Sequence, residues 1–346
     1  PTHHFRAKVF VNGSASQFNF YLLQASSWRK GEYFCAHLEY IERGAIMKIL
    51  VPVDGSKNSL NAVQFIGSRK TLLGSEPKIE LLNVQLPLPA RACRLVGQDA
   101  IQRYYEDEAE KVFEPSRKIL EKEGYQASEA FTVGEAAPTI AKAAEDIDAD
   151  LIVMGSRGQS ALKGLFFGSV SNGVLAQSKR PMLVIRDELP TPADSLRVGI
   201  AIDGSKYGRA AVRYVLKHLP LFGTQATFYL INVVSDYAGA VMPDMAGMAL
   251  PALSEEEVLE LQREEFNEAM DPLRPLFAKS AVKTKEICLV GNPGDEISAF
   301  ARKRKLDIIV MGSHGYGRFK SAVMGSVATR IAASSNVPLL VIRTAS

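Results

Sequence analysis

The sequence is poor in cysteine. Three occur in 346 residues, Cys35, Cys93 and Cys288, and no two stand at C-x-x-C spacing. That excludes a disulfide framework and a thiolate zinc site, and it fits a reducing compartment, so a cytoplasmic location is expected. Cys93 and Cys288 then read as packing residues. No apolar run approaches the roughly 18 residues of a bilayer-spanning helix, so no membrane association is expected. Charge of one sign is scarce as well. The 41 basic and 38 acidic side chains leave a formal +3, and a nucleic-acid partner would want a clustered basic face. The densest basic run, Arg302-Lys303-Arg304-Lys305, reads as a solvated helix face. Also missing are a G-x-x-x-x-G-K-[ST] phosphate loop, a G-x-S-x-G nucleophile elbow, an H-x-x-x-H metal pair and the S-G-G-x-D-S and H-x-G-H signatures of adenylating enzymes. Nothing supplies a general base poised over a phosphate, so no catalytic residue is assigned and efficient catalysis is not expected.

What is present is an ordinary globular composition, 47% hydrophobic and 23% charged, in a chain long enough for about two domains. Residues 1–46 stand apart. Their aromatic residues follow no helical or strand period, no secretory signal pattern occurs, and a strand pattern begins only at Met47. This segment is read as a leader, disordered or non-native.

The rest of the chain repeats itself. Met47-Lys-Ile-Leu-Val-Pro-Val-Asp-Gly-Ser56 is matched by Leu196-Arg-Val-Gly-Ile-Ala-Ile-Asp-Gly-Ser205, and Leu81-Leu-Asn-Val84 by Leu230-Ile-Asn-Val233. Ala149-Asp-Leu-Ile-Val-Met-Gly-Ser156 is matched by Leu306-Asp-Ile-Ile-Val-Met-Gly-Ser313, and Pro181-Met-Leu-Val-Ile-Arg186 by Pro338-Leu-Leu-Val-Ile-Arg343. Asp203 follows Asp54 by 149 residues, while Gly291 follows Gly134 by 157. The second copy therefore carries an insertion of 8 between Val233 and Gly291, placed in the methionine-rich stretch 235–253, which reads as a loop. The domains expected are 47–187 and 196–346, joined by a proline-containing linker over 188–195.

Each copy alternates short apolar runs with helical patterns. Runs such as Ile49–Val53 and Val198–Ile202 suit strands buried on both faces, and Ser56 and Ser205 suit helix N-caps. The amphipathic stripe Tyr207, Ala210, Ala211, Tyr214, Val215, His218 follows Ser205. Long helices are expected over 98–123 and 254–279. The alternation predicts an α/β fold, two tandem doubly wound five-stranded parallel sheets.

The chemistry sits in a glycine pattern after each fourth strand. Gly155-Ser-Arg-Gly158 is followed by nine residues and Gly168-Ser169; Gly312-Ser-His-Gly315 is followed by nine residues and Gly325-Ser326. The first two glycines let backbone approach a ligand without a Cβ, and the last opens a helix whose free N–H groups and positive end suit an anion. Two copies at one spacing make a nucleotide reading far stronger than turn punctuation alone. Ligands of such sheets sit beyond the carboxyl ends of the strands where strand order reverses, which is where Asp54 and Gly155, and Asp203 and Gly312, would lie. Lys163, Arg318 and Lys320 lie in the nine-residue excursions, where phosphate pairing and plain solvation are evenly balanced.

The G-x-x-G-x(9)-G-S pattern, the strand-end Asp and the closing P-x-L-V-I-R strand resemble the universal stress protein family, in its ATP-binding branch, over nearly all of 47–346. The resemblance implies an adenine-nucleotide alpha-hydrolase-like sheet of order 3-2-1-4-5. It implies ATP, or ADP or AMP, in each half, with magnesium or manganese accompanying a triphosphate. Asp54 and Asp203 would lie beside the nucleoside, Val84 and Val233 would offer backbone to adenine, and Met154-Gly155 and Met311-Gly312 would flank the ribose. Gly158, Gly168, Ser169 and Val170, with Gly315, Gly325, Ser326 and Val327, would line the phosphates. Pro52 becomes Ala201 and Arg157 becomes His314, so the two sites are expected to differ in affinity. The family implies a regulatory or stress-response role with slow hydrolysis at most. The alternatives are an ATPase or adenylating enzyme on this fold, and a scaffold with one degenerate site that binds a protein partner through residues 235–253. Because single-domain members pair their fifth strands across a dimer, the two halves are expected to pair those strands within the chain. The identity of a protein partner and a further homodimer are left open.

Overall fold

Short β-branched runs become strands here because helices of both halves cover both of their faces. The computed structural model describes residues 9–11, 14–16, 46–69, 77–89, 97–156, 168–186, 189, 195–223, 225–237, 253–280, 282–313 and 324–343. The first half runs β3 (Lys48–Pro52), α1 (Lys57–Gly67), β4 (Lys78–Gln85), α2 (Gln98–Lys122), β5 (Ala127–Val133), α3 (Ala136–Asp146), β6 (Leu151–Gly155), α4 (Ser169–Gln177) and β7 (Met182–Ile185). The second runs β8 (Arg197–Ala201), α5 (Lys206–Lys217), β9 (Thr227–Val234), α6 (Glu255–Met270), α7 (Arg274–Ala278), β10 (Lys283–Val290), α8 (Pro293–Arg304), β11 (Ile308–Gly312), α9 (Ser326–Ser334) and β12 (Leu339–Ile342).

All ten strands join one sheet in the order β10-β9-β8-β11-β12-β7-β6-β3-β4-β5. Each half therefore has the order 3-2-1-4-5, parallel throughout. The seam is antiparallel, with Leu339 opposite Val184, Leu340 opposite Leu183 and Val341 opposite Met182. The fifth strands thus pair within the chain, which removes two edges that would otherwise template association. Alternate residues build two cores that run unbroken across the seam. Val51, Val153 and Leu183 join Ile200, Val310 and Leu340 on one side. Leu50, Ile152 and Val184 join Ile309, Leu339 and Val341 on the other. The remaining edges, β5 and β10, carry matched ion pairs, Arg117 to Glu129 and Arg274 to Glu286, each at 2.7 Å.

Four expectations are corrected. Two three-residue strands, β1 (Val9–Val11) and β2 (Ser14–Ser16), pair antiparallel ahead of Met47. The residues between them in sequence are Asn12-Gly13, the pair that favours a two-residue hairpin, but strands this short carry no visible period. The long helix expected over 254–279 is two, α6 and α7. Pro272 and Pro275 remove two N–H donors within one turn there, whereas α2 passes its single Pro115 unbroken. The helices α3 and α8 begin earlier than Ile140 and Glu296; Pro293 stands at the first turn of α8 behind the Asn292 cap. Cys288 is exposed on the edge strand β10, so it is not a packing residue, while Cys93 lies outside the described residues.

The halves solve one packing problem in opposite ways. A Cβ on Gly173 of α4 would stand 2.4 Å from the Cβ of Ala137 on α3. At the matching positions α9 carries Arg330 and α8 carries Gly294, whose missing Cβ leaves room for the Arg330 stem on its way to Asp295 at 2.7 Å. The small residue has changed helices and the contact is kept.

Candidate functional site

Each first strand ends in a turn that its own side chains hold. Asp54 Oδ1 accepts from Ser56 N at 3.0 Å, and Asp203 Oδ1 from Ser205 N at 3.0 Å. Gly55 and Gly204 take φ of 75° and 74°, the left-handed region that glycine tolerates. Ser56 and Ser205 then cap α1 and α5 by accepting from Ser59 N and Gly208 N.

Each fourth strand ends hard against that first turn. A Cβ on Gly155 would stand 2.6 Å from the carbonyl carbon of Asn58, and one on Gly312 2.5 Å from Cβ of Tyr207. Backbone cannot yield as a flexible side chain can. Gly155→Ala is therefore expected to lower stability by roughly 3 kcal/mol, read as a fall in urea midpoint. Gly97→Ala, with nothing within 4 Å but at the N-cap of α2, should lower it by about 1 kcal/mol or less.

Beyond Gly155 the chain departs and returns through one hydrogen bond. Gly168 N donates to Ser156 O at 2.6 Å, and Ser156 N donates to Ile185 O at 2.8 Å. The second half repeats this with Gly325 N to Ser313 O and Ser313 N to Ile342 O, both 2.9 Å. The excursions 157–167 and 314–323 lie outside the described residues, and with them Gly158, Gly315, Arg157, His314, Lys163, Arg318 and Lys320. The helices that follow, α4 and α9, start at glycine without a side-chain cap. Of the other helices, α1, α5, α6 and α8 are capped by Ser56, Ser205, Ser254 and Asn292, while α2, α3 and α7 also begin without a side-chain cap. The first-turn N–H groups of α4 and α9 are thus left to other acceptors.

In the first half these parts converge on a cleft of about 670 Å³ at the carboxyl ends of the strands. Asp54, Val84, Met154, Gly155, Gly168, Ser169 and Val170 all line it. Asp203, Val233, Met311, Gly312, Gly325, Ser326 and Val327 hold the matching strand-end and helix-start positions of the second half.

The sequence reading missed the opposite wall, formed by Leu86, Pro87, Leu88, Tyr104, Tyr105 and Glu108. Tyr105 fixes the chain after β4: its hydroxyl accepts from Leu88 N at 2.8 Å and its carbonyl accepts from Gln85 Nε2 at 2.8 Å. In the second half Glu265, the counterpart of Glu108, does this work. It accepts from Ser235 N at 2.9 Å and from the Tyr237 hydroxyl at 3.1 Å. Tyr105 thus leaves Glu108 to the cleft wall, paired with Lys111 at 2.5 Å. A shared feature is Asn83, which lines the cleft, and its counterpart Asn232. Their Nδ2 atoms donate to Val53 O at 2.9 Å and Ile202 O at 2.8 Å. Each buried Oδ1 has no protein partner among the described residues.

The model of the universal stress protein family matches residues 45–186 and, separately, 196–343. The chain belongs to the universal stress protein family. A universal stress protein of Mycolicibacterium smegmatis is 27% identical over 303 residues, covering 85% of this chain and 96% of its own. Universal stress protein MJ0531 of Methanocaldococcus jannaschii is 30% identical over 148 residues, 42% of this chain and 81% of its own length. The crystal structure of a universal stress protein from Archaeoglobus fulgidus superposes with a TM-score of 0.61 at 24% identity, covering 86% of this chain and 97% of that one, a likeness of fold. This universal stress protein has no helix among the described residues long and apolar enough to cross a membrane.

Proposed function

We propose that this universal stress protein is a cytoplasmic regulatory protein that binds an adenine nucleotide, ATP, in each half and hydrolyses it slowly at most. The observation that carries the reading is the convergence on one cleft of a strand-end Asp54, an open backbone at Gly155 and the uncapped start of α4. Phosphates bind the N–H groups of Gly168, Ser169 and Val170, where the helix dipole favours anions. The base lies toward Val84, against the apolar surface of Leu86 and Tyr104, and Asp54 lies beside the sugar. Among the described residues no three acidic, histidine or cysteine side chains converge. A magnesium or manganese ion would therefore be held mainly by the phosphates and would supply charge neutralisation.

Calorimetric titration of Mg-ATP tests this in the full chain. Two sites are expected. Ser169→Asp and Ser326→Asp should each remove one, because a carboxylate in the first turn repels phosphate while favouring the helix itself. A chain that binds no adenine nucleotide overturns the reading.

A further inference from the structure

The helices proposed to hold phosphate are short, nine residues each, and neither has a basic residue of its own in its last turn. A helix end leaves carbonyl groups without partners and carries partial negative charge, so such a helix gains from a cation at its C-terminus. In α4 the Val174 carbonyl is satisfied by Ser178 N at 2.8 Å. The next carbonyl, Leu175, accepts from Arg343 Nη1. Arg343 belongs to the other half. It follows β12, and its neighbour Ile342 accepts from Ser313 N at 2.9 Å. The second half's own glycine motif therefore fixes where Arg343 starts. Arg186 stands buried at the matching position after β7.

We propose that Arg343 is a positioning residue for the first nucleotide site, supplied across the seam by the second half. It holds the C-terminal end of α4 and so sets the register of the Gly168–Val170 N–H groups at the other end. The first site is incomplete without the second half, although every residue lining it comes from the first. This rests on the nucleotide reading above.

The test uses the full chain carrying Ser326→Asp, so that only the first site titrates, with ATP and adenosine as probes. Arg343→Met is expected to weaken ATP about fivefold and leave adenosine unchanged, because adenosine makes no use of the helix start. Arg343→Lys, which keeps the charge but not the planar fork, should fall between. Equal loss of both ligands would show a general loosening and overturn the proposal, as would no loss of either. If Arg343→Met does not fold, Arg343→Lys alone decides: the proposal requires its deficit to be confined to ATP. A Ser326→Asp chain that binds neither probe overturns the nucleotide reading itself, and the proposal with it; binding with an unchanged ATP-to-adenosine ratio in the variants overturns only the role of Arg343.

Discussion

Leu340→Asp should open the molecule along its middle. Leu340 is fully buried, stands opposite Leu183 in the antiparallel seam and belongs to the core that spans both halves. A carboxylate there would stand in an apolar core out of solvent, and burying an unpaired charge is among the few single changes that cost on the order of 4–5 kcal/mol or more. The seam is three residue pairs long, so little else in the sheet resists separation. Once apart, β7 and β12 are bare edges, and bare edges pair with other copies. The expected result is an early unfolding phase in urea together with concentration-dependent self-association by sedimentation. Val290→Asp, on the edge strand β10 where Val290 is 43% exposed, serves as the control and should change stability by less than about 0.5 kcal/mol. A Leu340→Asp chain that associates no more than the parent, with an unfolding midpoint close to that of the parent, would mean that the helices rather than the strands join the halves.

The seam was legible in the sequence because the fifth strands would be sheet edges, which tend to pair, and because the family resemblance implies that such edges meet across a dimer. The repeat made the rest legible: a strand-end Asp or a Gly-Ser helix start is weak alone and strong when it recurs at fixed spacing. What stayed hidden depends on partners distant in sequence. Tyr104 and Tyr105 fall within the long helix expected over 98–123, and nothing local says that they wall a cleft. Arg343 reads as the polar end of a strand; its acceptor, Leu175, is 168 residues away. Pro272 breaks a helix where its counterpart Pro115 does not, because only the second copy adds Pro275. His218 completed a helical stripe in the sequence, but the stripe could not show that it reaches the other half of the protein.

That position makes His218 an acid-sensitive point. It closes α5 as its C-cap, 5% exposed, with its ring 4.4 Å from that of Tyr214. The Tyr214 hydroxyl donates to the Asp150 carbonyl of the first half at 3.2 Å. Three influences act on the imidazole. Burial disfavours the cation most, Lys217 on the same helix opposes it too, and the Asp150 carboxylate across the seam favours it; the outcome is a pKa lowered to about 4. The unfolded chain protonates near the ordinary 6.5, so between these values it binds more protons than the folded one. Stability is therefore full above about pH 6.5 and declines as pH falls toward 4, by about 2 kcal/mol at pH 5 and about 3 kcal/mol at the end of the window. Carboxylates whose pKa values are depressed by arginine, Glu110, Asp148 and Glu286, lose their contributions only at lower pH, below the usual carboxylate range. Five histidines occur in the chain and His218 is the one among the described residues, so the comparison with a His218 variant, rather than the pH span, assigns the effect to it. His218→Phe keeps a ring against Tyr214 and cannot charge. Urea midpoints measured at pH 7.5 and pH 5.0 should fall in the parent chain and hold nearly level in the variant. A parent chain as stable at pH 5.0 as at 7.5 would mean that the folded chain protonates His218 as readily as the unfolded one, the Asp150 carboxylate then outweighing burial.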